Sequence, residues 1–99
     1  MITVRDEDIL PRDVNGYLDH EGNKRYRRIT QEYARTFVVS KAKSEKRKLD
    51  KQIFDRITEG NGRFLRWKDG EYVEMEESKA IAKIRQSLRD KQKKLKFRN

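Results

Sequence analysis

The chain has no cysteine, so neither a disulfide nor a thiolate-bound zinc can hold it together. It has a single histidine, His20, which removes the usual raw material for acid–base catalysis and metal binding. Proline occurs once, at Pro11, so turns must come from five glycines and from Asn and Asp. No apolar run approaches the ~18 residues of a membrane span, and the start lacks the apolar stretch of a signal peptide. Hydrophobic side chains make up 33% of 99 residues, which supports one small core.

What the chain has in abundance is positive charge. Lys and Arg number 26 against 17 Asp and Glu, a net charge of +9. A field of that sign attracts polyanions, nucleic acid first among them. The charge is also segregated along the sequence. Residues 24–35 carry five cations against Glu32, residues 41–51 six against Glu45 and Asp50, and residues 79–99 nine against Asp90. Many of the remaining acids fall in the leader and in the segment around Glu71 and Glu74.

Periodicity predicts the elements. Asp6, Glu7 and Asp8 precede Ile9-Leu10, a short strand that Pro11 stops, and turn formers follow up to Gly22. A helix is expected over residues 23–39 with Asn23 as its N-cap, because Tyr26, Ile29, Tyr33 and Phe37 recur at helical spacing. A second is expected over 44–59 on Leu49, Ile53, Phe54 and Ile57, ended by a left-handed glycine in Gly60-Asn61-Gly62. Asp69-Gly70 between two apolar-bearing runs is the preferred type I′ hairpin turn. It sets Trp67 opposite Tyr72, Arg66 opposite Val73 and Leu65 opposite Glu74. A last helix should start at an N-cap, Ser78, and run to about residue 94, burying Ala80, Ile81, Ile84 and Leu88. The expected fold class is α+β, three helices packed on a β-hairpin in the order short β-α-α-β-β-α, winged-helix-like at the coarse level. Residues 1–7 read as an acidic leader, 8–90 as the domain and 91–99 as a basic solvated tail or nuclear-import patch.

Four short motifs carry a resemblance. They are Asp8-Ile9-Leu10, His20-Glu21-Gly22-Asn23-Lys24-Arg25-Tyr26-Arg27, Gly62-Arg63-Phe64-Leu65, and Lys79-Ala80 with Lys83-Ile84-Arg85-Gln86-Ser87-Leu88-Arg89. In this order the chain resembles a domain family of unknown function that is expanded in diatoms and other unicellular algae. The likeness spans about residues 8–90. It departs where the family tends to have Cys-Gly-Arg followed by glycines and this chain has Pro11-Arg12-Asp13-Val14-Asn15-Gly16. The resemblance implies a domain boundary and, through the predicted nuclear proteins that carry the family, DNA binding. It implies no chemistry.

The residues themselves point away from an enzyme. His20 with Asp19, Glu21 and Asn23 outlines a single-histidine nuclease only on paper, because no second cluster of metal ligands accompanies it. No phosphate-loop or nucleophile motif is present, and no cofactor or metal is expected. The expected function is DNA binding in an intracellular, nuclear setting, without a membrane. Arg85, Gln86 and Arg89 are the base-reading candidates, since Arg and Gln make the bidentate contacts that separate G and A. Arg25, Arg28, Lys46, Lys48 and Lys51 are the phosphate contacts, and Arg63, Arg66 and Lys68 make the hairpin a backbone-touching wing. Two other readings stand beside it. One is a protein-interaction module with Trp67 and Tyr72, flanked by Leu65, as hot spot. The other is RNA or single-strand binding through the same aromatics.

Overall fold

A computed structural model describes the backbone of residues 2–97 and the side chains of residues 2–94. Three helices, α1 (Glu21–Val39), α2 (Lys43–Glu59) and α3 (Glu77–Phe97), surround the core; strands β1 (Leu65–Lys68) and β2 (Glu71–Glu74) form an antiparallel hairpin between α2 and α3. The expected stripes meet in one cluster. Tyr26, Ile29 and Phe37 of α1 pack with Leu49, Ile53 and Ile57 of α2 and with Ala80, Ile84 and Leu88 of α3. Each large aliphatic or aromatic side chain buried this way contributes about 1.5–3 kcal/mol. Tyr33 and Ile81 sit at the margin, only partly buried.

The hairpin has the register that Asp69-Gly70 dictates, with Trp67 opposite Tyr72 and Leu65 opposite Glu74. Both turn residues have positive φ, 52° and 81°, as a type I′ turn requires. The helices pack on one another, and the hairpin joins them at its base. There Phe64 stacks on Phe54 and meets Tyr26 edge-on, and Leu65 is fully buried. Beyond that base the arm projects, with Trp67 50% exposed.

Several boundaries differ from the sequence-based expectation, each for a physical reason. Ile9-Leu10 is reduced to a single parallel bridge between Ile9 and Phe64. Asn23 is not the N-cap of α1, which begins at Glu21 after an extended His20. The amide of Asn23 is engaged elsewhere: its Oδ1 accepts from Leu10 N–H and its Nδ2 donates to the Leu10 carbonyl, at 2.8 and 2.9 Å. At the end of α2 the left-handed residue is Asn61, φ 65°, and not Gly60. Gly60 is small for another reason, since the Arg25 guanidinium lies where a Cβ would be. Ser78 falls inside the first turn of α3, and Lys79 and Ala80 donate their N–H groups to the carbonyl of Glu76 instead. The expected tail is helical as far as Phe97; Lys, Gln and Leu are strong helix formers, and Lys91 reaches across to Gln31 of α1. Arg98 lies outside the described residues.

Candidate functional site

Three of the four motifs converge on the N-terminal segment of residues 2–20, a leader longer than the acidic residues 1–7. Asp8, fully buried, takes both Nε and a terminal nitrogen of Arg63, at 2.9 and 2.7 Å, and the N–H of Arg5 at 2.7 Å. Burial alone would raise its pKa, but the hydrogen bonds and charges of Arg63 and Arg5 outweigh it and hold the carboxyl below the usual 3.8. Gly22 completes the fit: a Cβ there would run into the carbonyl of Asp8. His20 donates Nε2–H to the carbonyl of Arg5, since a carbonyl only accepts. Arg27 donates to the carbonyl of Leu18. His20, Gly22, Asn23 and Arg27 therefore act together to strap residues 5–18 onto the first turns of α1.

Several of the expected phosphate-contact cations are engaged within the fold. Arg63 faces Asp8, with its side chain only 21% exposed, and it also donates to the carbonyl of Thr3. Arg25 donates to the Arg56 carbonyl in the last turn of α2, at the end of the helix that favours a cation. Lys51 bridges Asp55 and Glu77. Lys46 lies 4.9 Å over the ring of Phe37. Arg28, Lys48, Arg66 and Lys68 are exposed, and no ion pair occupies them among the described residues.

The three base-reading candidates on α3 part company. Arg85 turns inward, and its Nε and one terminal nitrogen both contact Oδ2 of the buried Asp50, at 2.8 and 2.7 Å. Asp50 Oδ1 has no hydrogen-bond partner among the described residues. Burial raises the Asp50 pKa, and the opposing pull of Arg85 does not restore it. Gln86 and Arg89 face solvent, with Gln86 donating to Asp90 one turn on. Together with Lys79, Ala82 and Lys93 they form an exposed ridge along α3, with Asp90 on its flank.

A second basic feature lies apart from the α3 ridge. Between the leader, α1 and α3 lies a half-enclosed cavity of about 180 Å³. Arg12, Arg27, Lys83, Lys91 and Lys94 line it, and Asp90 is the one carboxylate in its wall. Its floor is closed by Tyr26, whose hydroxyl is 2.6 Å from that of Ser87, which in turn donates to the Lys83 carbonyl. Burial pushes the Tyr26 hydroxyl up to about 12, so it stays protonated. Burial lowers Lys83, and Arg12 lowers it further against a partial correction from Asp13. Burial likewise lowers Lys91, with Lys94 and Arg27 adding repulsion. The helical spacing of Lys83, Ser87, Lys91 and Lys94 was a readable signal of a shared stripe. The arrival of Arg12 from the leader was not. The cations of residues 24–35 and 79–99 thus share a face through Arg27, Lys83, Lys91 and Lys94, and none from residues 41–51 lines the cavity.

The family model for the domain of unknown function DUF6824 matches residues 8–90. The chain belongs to that family. Comparison with curated proteins and with solved structures finds no match. Within this DUF6824 domain, no group of three His, Cys, Asp or Glu that could hold a metal occurs among the described residues. None of its described helices is long and apolar enough to cross a membrane. The matched segment includes residues 8–18 of the strapped stretch, though not Arg5, and it ends at Asp90 in the cavity wall.

Proposed function

We propose that this domain binds duplex DNA with α3 lying in the major groove. The observation that carries the reading is the exposed, cation-bearing ridge of Lys79, Ala82, Gln86, Arg89 and Lys93. Small Ala82 lets a base pair approach the helix closely, and Gln86 and Arg89 have the bidentate geometries that read A and G. The Gln86–Asp90 contact is an exposed pair one turn apart, worth only about 0.2–0.5 kcal/mol, so a base edge displaces it readily. Arg85 becomes a positioning residue, holding α3 against α2 through Asp50. Exposed Arg28, Arg66 and Lys68 supply phosphate contacts, and the reading assigns the domain to the nucleus.

Fluorescence anisotropy of labelled duplexes at two salt concentrations tests this. Affinity should fall with salt at a slope of about −0.9 per neutralised phosphate. Arg89→Ala should remove about 1–3 kcal/mol of discrimination at one base pair and leave the fold intact. Equal affinity of Arg89→Ala and the parent chain for every duplex would sink the proposal. A second reading rests on Trp67, 50% exposed and edge-on to Tyr72 at 4.8 Å, as the anchor of a protein contact. It requires partner binding that is insensitive to salt and lost in Trp67→Ala.

A further inference from the structure

The α3 ridge does not explain the cavity beneath the leader. A duplex cannot enter it, because residues 10–18 form one of its walls and the opening is only partial. Its chemistry is nonetheless one-sided. Five cationic side chains converge on a space of about 180 Å³, which is several times the ~30 Å³ that one water occupies. Of these, Arg12, Lys83 and Lys94 have no side-chain hydrogen bond or ion pair among the described residues. Arg27 uses one nitrogen on Leu18, and Lys91 donates one bond to Gln31. The lone wall carboxylate, Asp90, already accepts from Gln86. The remaining polar groups of the floor are engaged with each other or with backbone: Tyr26 with Ser87, Asn23 with Leu10, and Thr30 with the Arg27 carbonyl.

Such a wall raises the free energy of the empty fold through mutual repulsion among partly buried cations, and a compact anion would relieve it. Convergent Lys and Arg donors around a small volume are the chemistry of phosphoryl recognition, where charge-assisted bonds to several oxygens replace repulsion with attraction. Carboxylates offer fewer oxygens for five cations. We propose that the leader–α1–α3 cavity is a binding site for a compact phosphate-class polyanion, such as pyrophosphate or the polyphosphate end of a nucleotide, held by Arg12, Arg27, Lys83, Lys91 and Lys94. The site is separate from the α3 ridge and does not depend on the DNA reading.

Lys83 is the discriminating position. Like Arg12 and Lys94 it has no side-chain partner among the described residues, but it is the most buried of the three, so methionine can take the place of its stem with similar packing. The test is calorimetric titration of the full chain with inorganic pyrophosphate at physiological ionic strength, with sulfate as the control for screening. Saturable one-to-one binding of pyrophosphate, tighter than sulfate, is expected. Lys83→Met and, separately, the more exposed Arg12→Gln should each weaken it by about tenfold or more, as loss of a charge-assisted contact does. Lys48→Met, away from the cavity, should not weaken it. Equal loss in Lys48→Met, or pyrophosphate binding no tighter than sulfate, would overturn the proposal. A nucleoside triphosphate arm distinguishes the sources: tighter binding than pyrophosphate assigns a nucleotide, and equal binding assigns the phosphate alone. Lys83→Met should bind duplex DNA like the parent chain, so failure of either reading leaves the other standing.

Discussion

Asp8 and Asp50 are both buried carboxylates that face an arginine far away in the chain, 55 residues on for Asp8 and 35 for Asp50. Their arginines are equally shielded, each side chain 21% exposed. Yet the pKa of Asp8 is lowered and that of Asp50 is raised. The difference lies in the backbone around them. Asp8 sits in a turn where Arg5 has a free N–H to offer, and Arg63 reaches both carboxylate oxygens. Asp50 sits mid-helix, where every nearby N–H already serves the helix, and Arg85 reaches only Oδ2. An ion pair in a protein interior is as good as the hydrogen bonds that complete it.

Removing the better pair should cost the most. Asp8→Ala leaves Arg63 and the Arg5 N–H without their acceptor, and chemical denaturation should show a loss of about 3–5 kcal/mol. The same comparison carries a pH signature. Asp8 has a lowered pKa in the fold, so its contribution is present above the usual 3.8 and fades as pH falls through the folded value. The gap between Asp8→Ala and the parent chain should therefore narrow on acidification below that point.

Gly22→Ala asks whether position matters apart from charge. It keeps the Asp8 carboxylate but drives a methyl group into the Asp8 backbone carbonyl. A loss of about 1–3 kcal/mol is expected, as for overpacking elsewhere. Protease digestion should show cleavage within residues 2–18 before the helices are cut. Uniform cleavage of the whole chain would show that the leader is not a separable strap.

Asp50→Asn should have the smallest effect, within about 1 kcal/mol, because the amide oxygen still accepts from Arg85 and no fully bonded carboxylate is lost. Its pH trend should run opposite to that of Asp8. A raised pKa in the fold means that stability declines as pH climbs from 3.8 toward the folded value of Asp50. The asparagine variant lacks that decline, so it should improve relative to the parent chain across the window. Parallel pH profiles for the Asp8→Ala and Asp50→Asn variants would erase the distinction between the two pairs.

The parts of the molecule that were legible in the sequence are those set by neighbours. Asp69-Gly70 determines the full hairpin register because a two-residue turn leaves no freedom, and the apolar spacing on Leu49, Ile53 and Ile57 marks the buried side of α2. What was not legible joins distant residues. Asn23 looked like a cap because the local rule for Asn before a helix is strong. Its real partner, Leu10, is 13 residues back, and no local rule finds it. Arg63 and Arg85 looked like free cations because charge counting cannot see a buried acid across the fold. For the same reason the Lys83 cavity was missed: its fifth cation, Arg12, comes from a leader that was read only as turns.

The projecting hairpin has a practical consequence for every experiment above. Trp67 is the only tryptophan in the chain, and it stands on an arm that, among the described residues, meets the helices at its root. Its indole packs on Tyr72 of the same arm, so its emission reports the local order of two short strands. A denaturation curve read by tryptophan fluorescence would then follow the arm, while far-ultraviolet dichroism follows the three helices. If the arm frays before the body melts, the two midpoints will separate even though the helical core unfolds as a single unit.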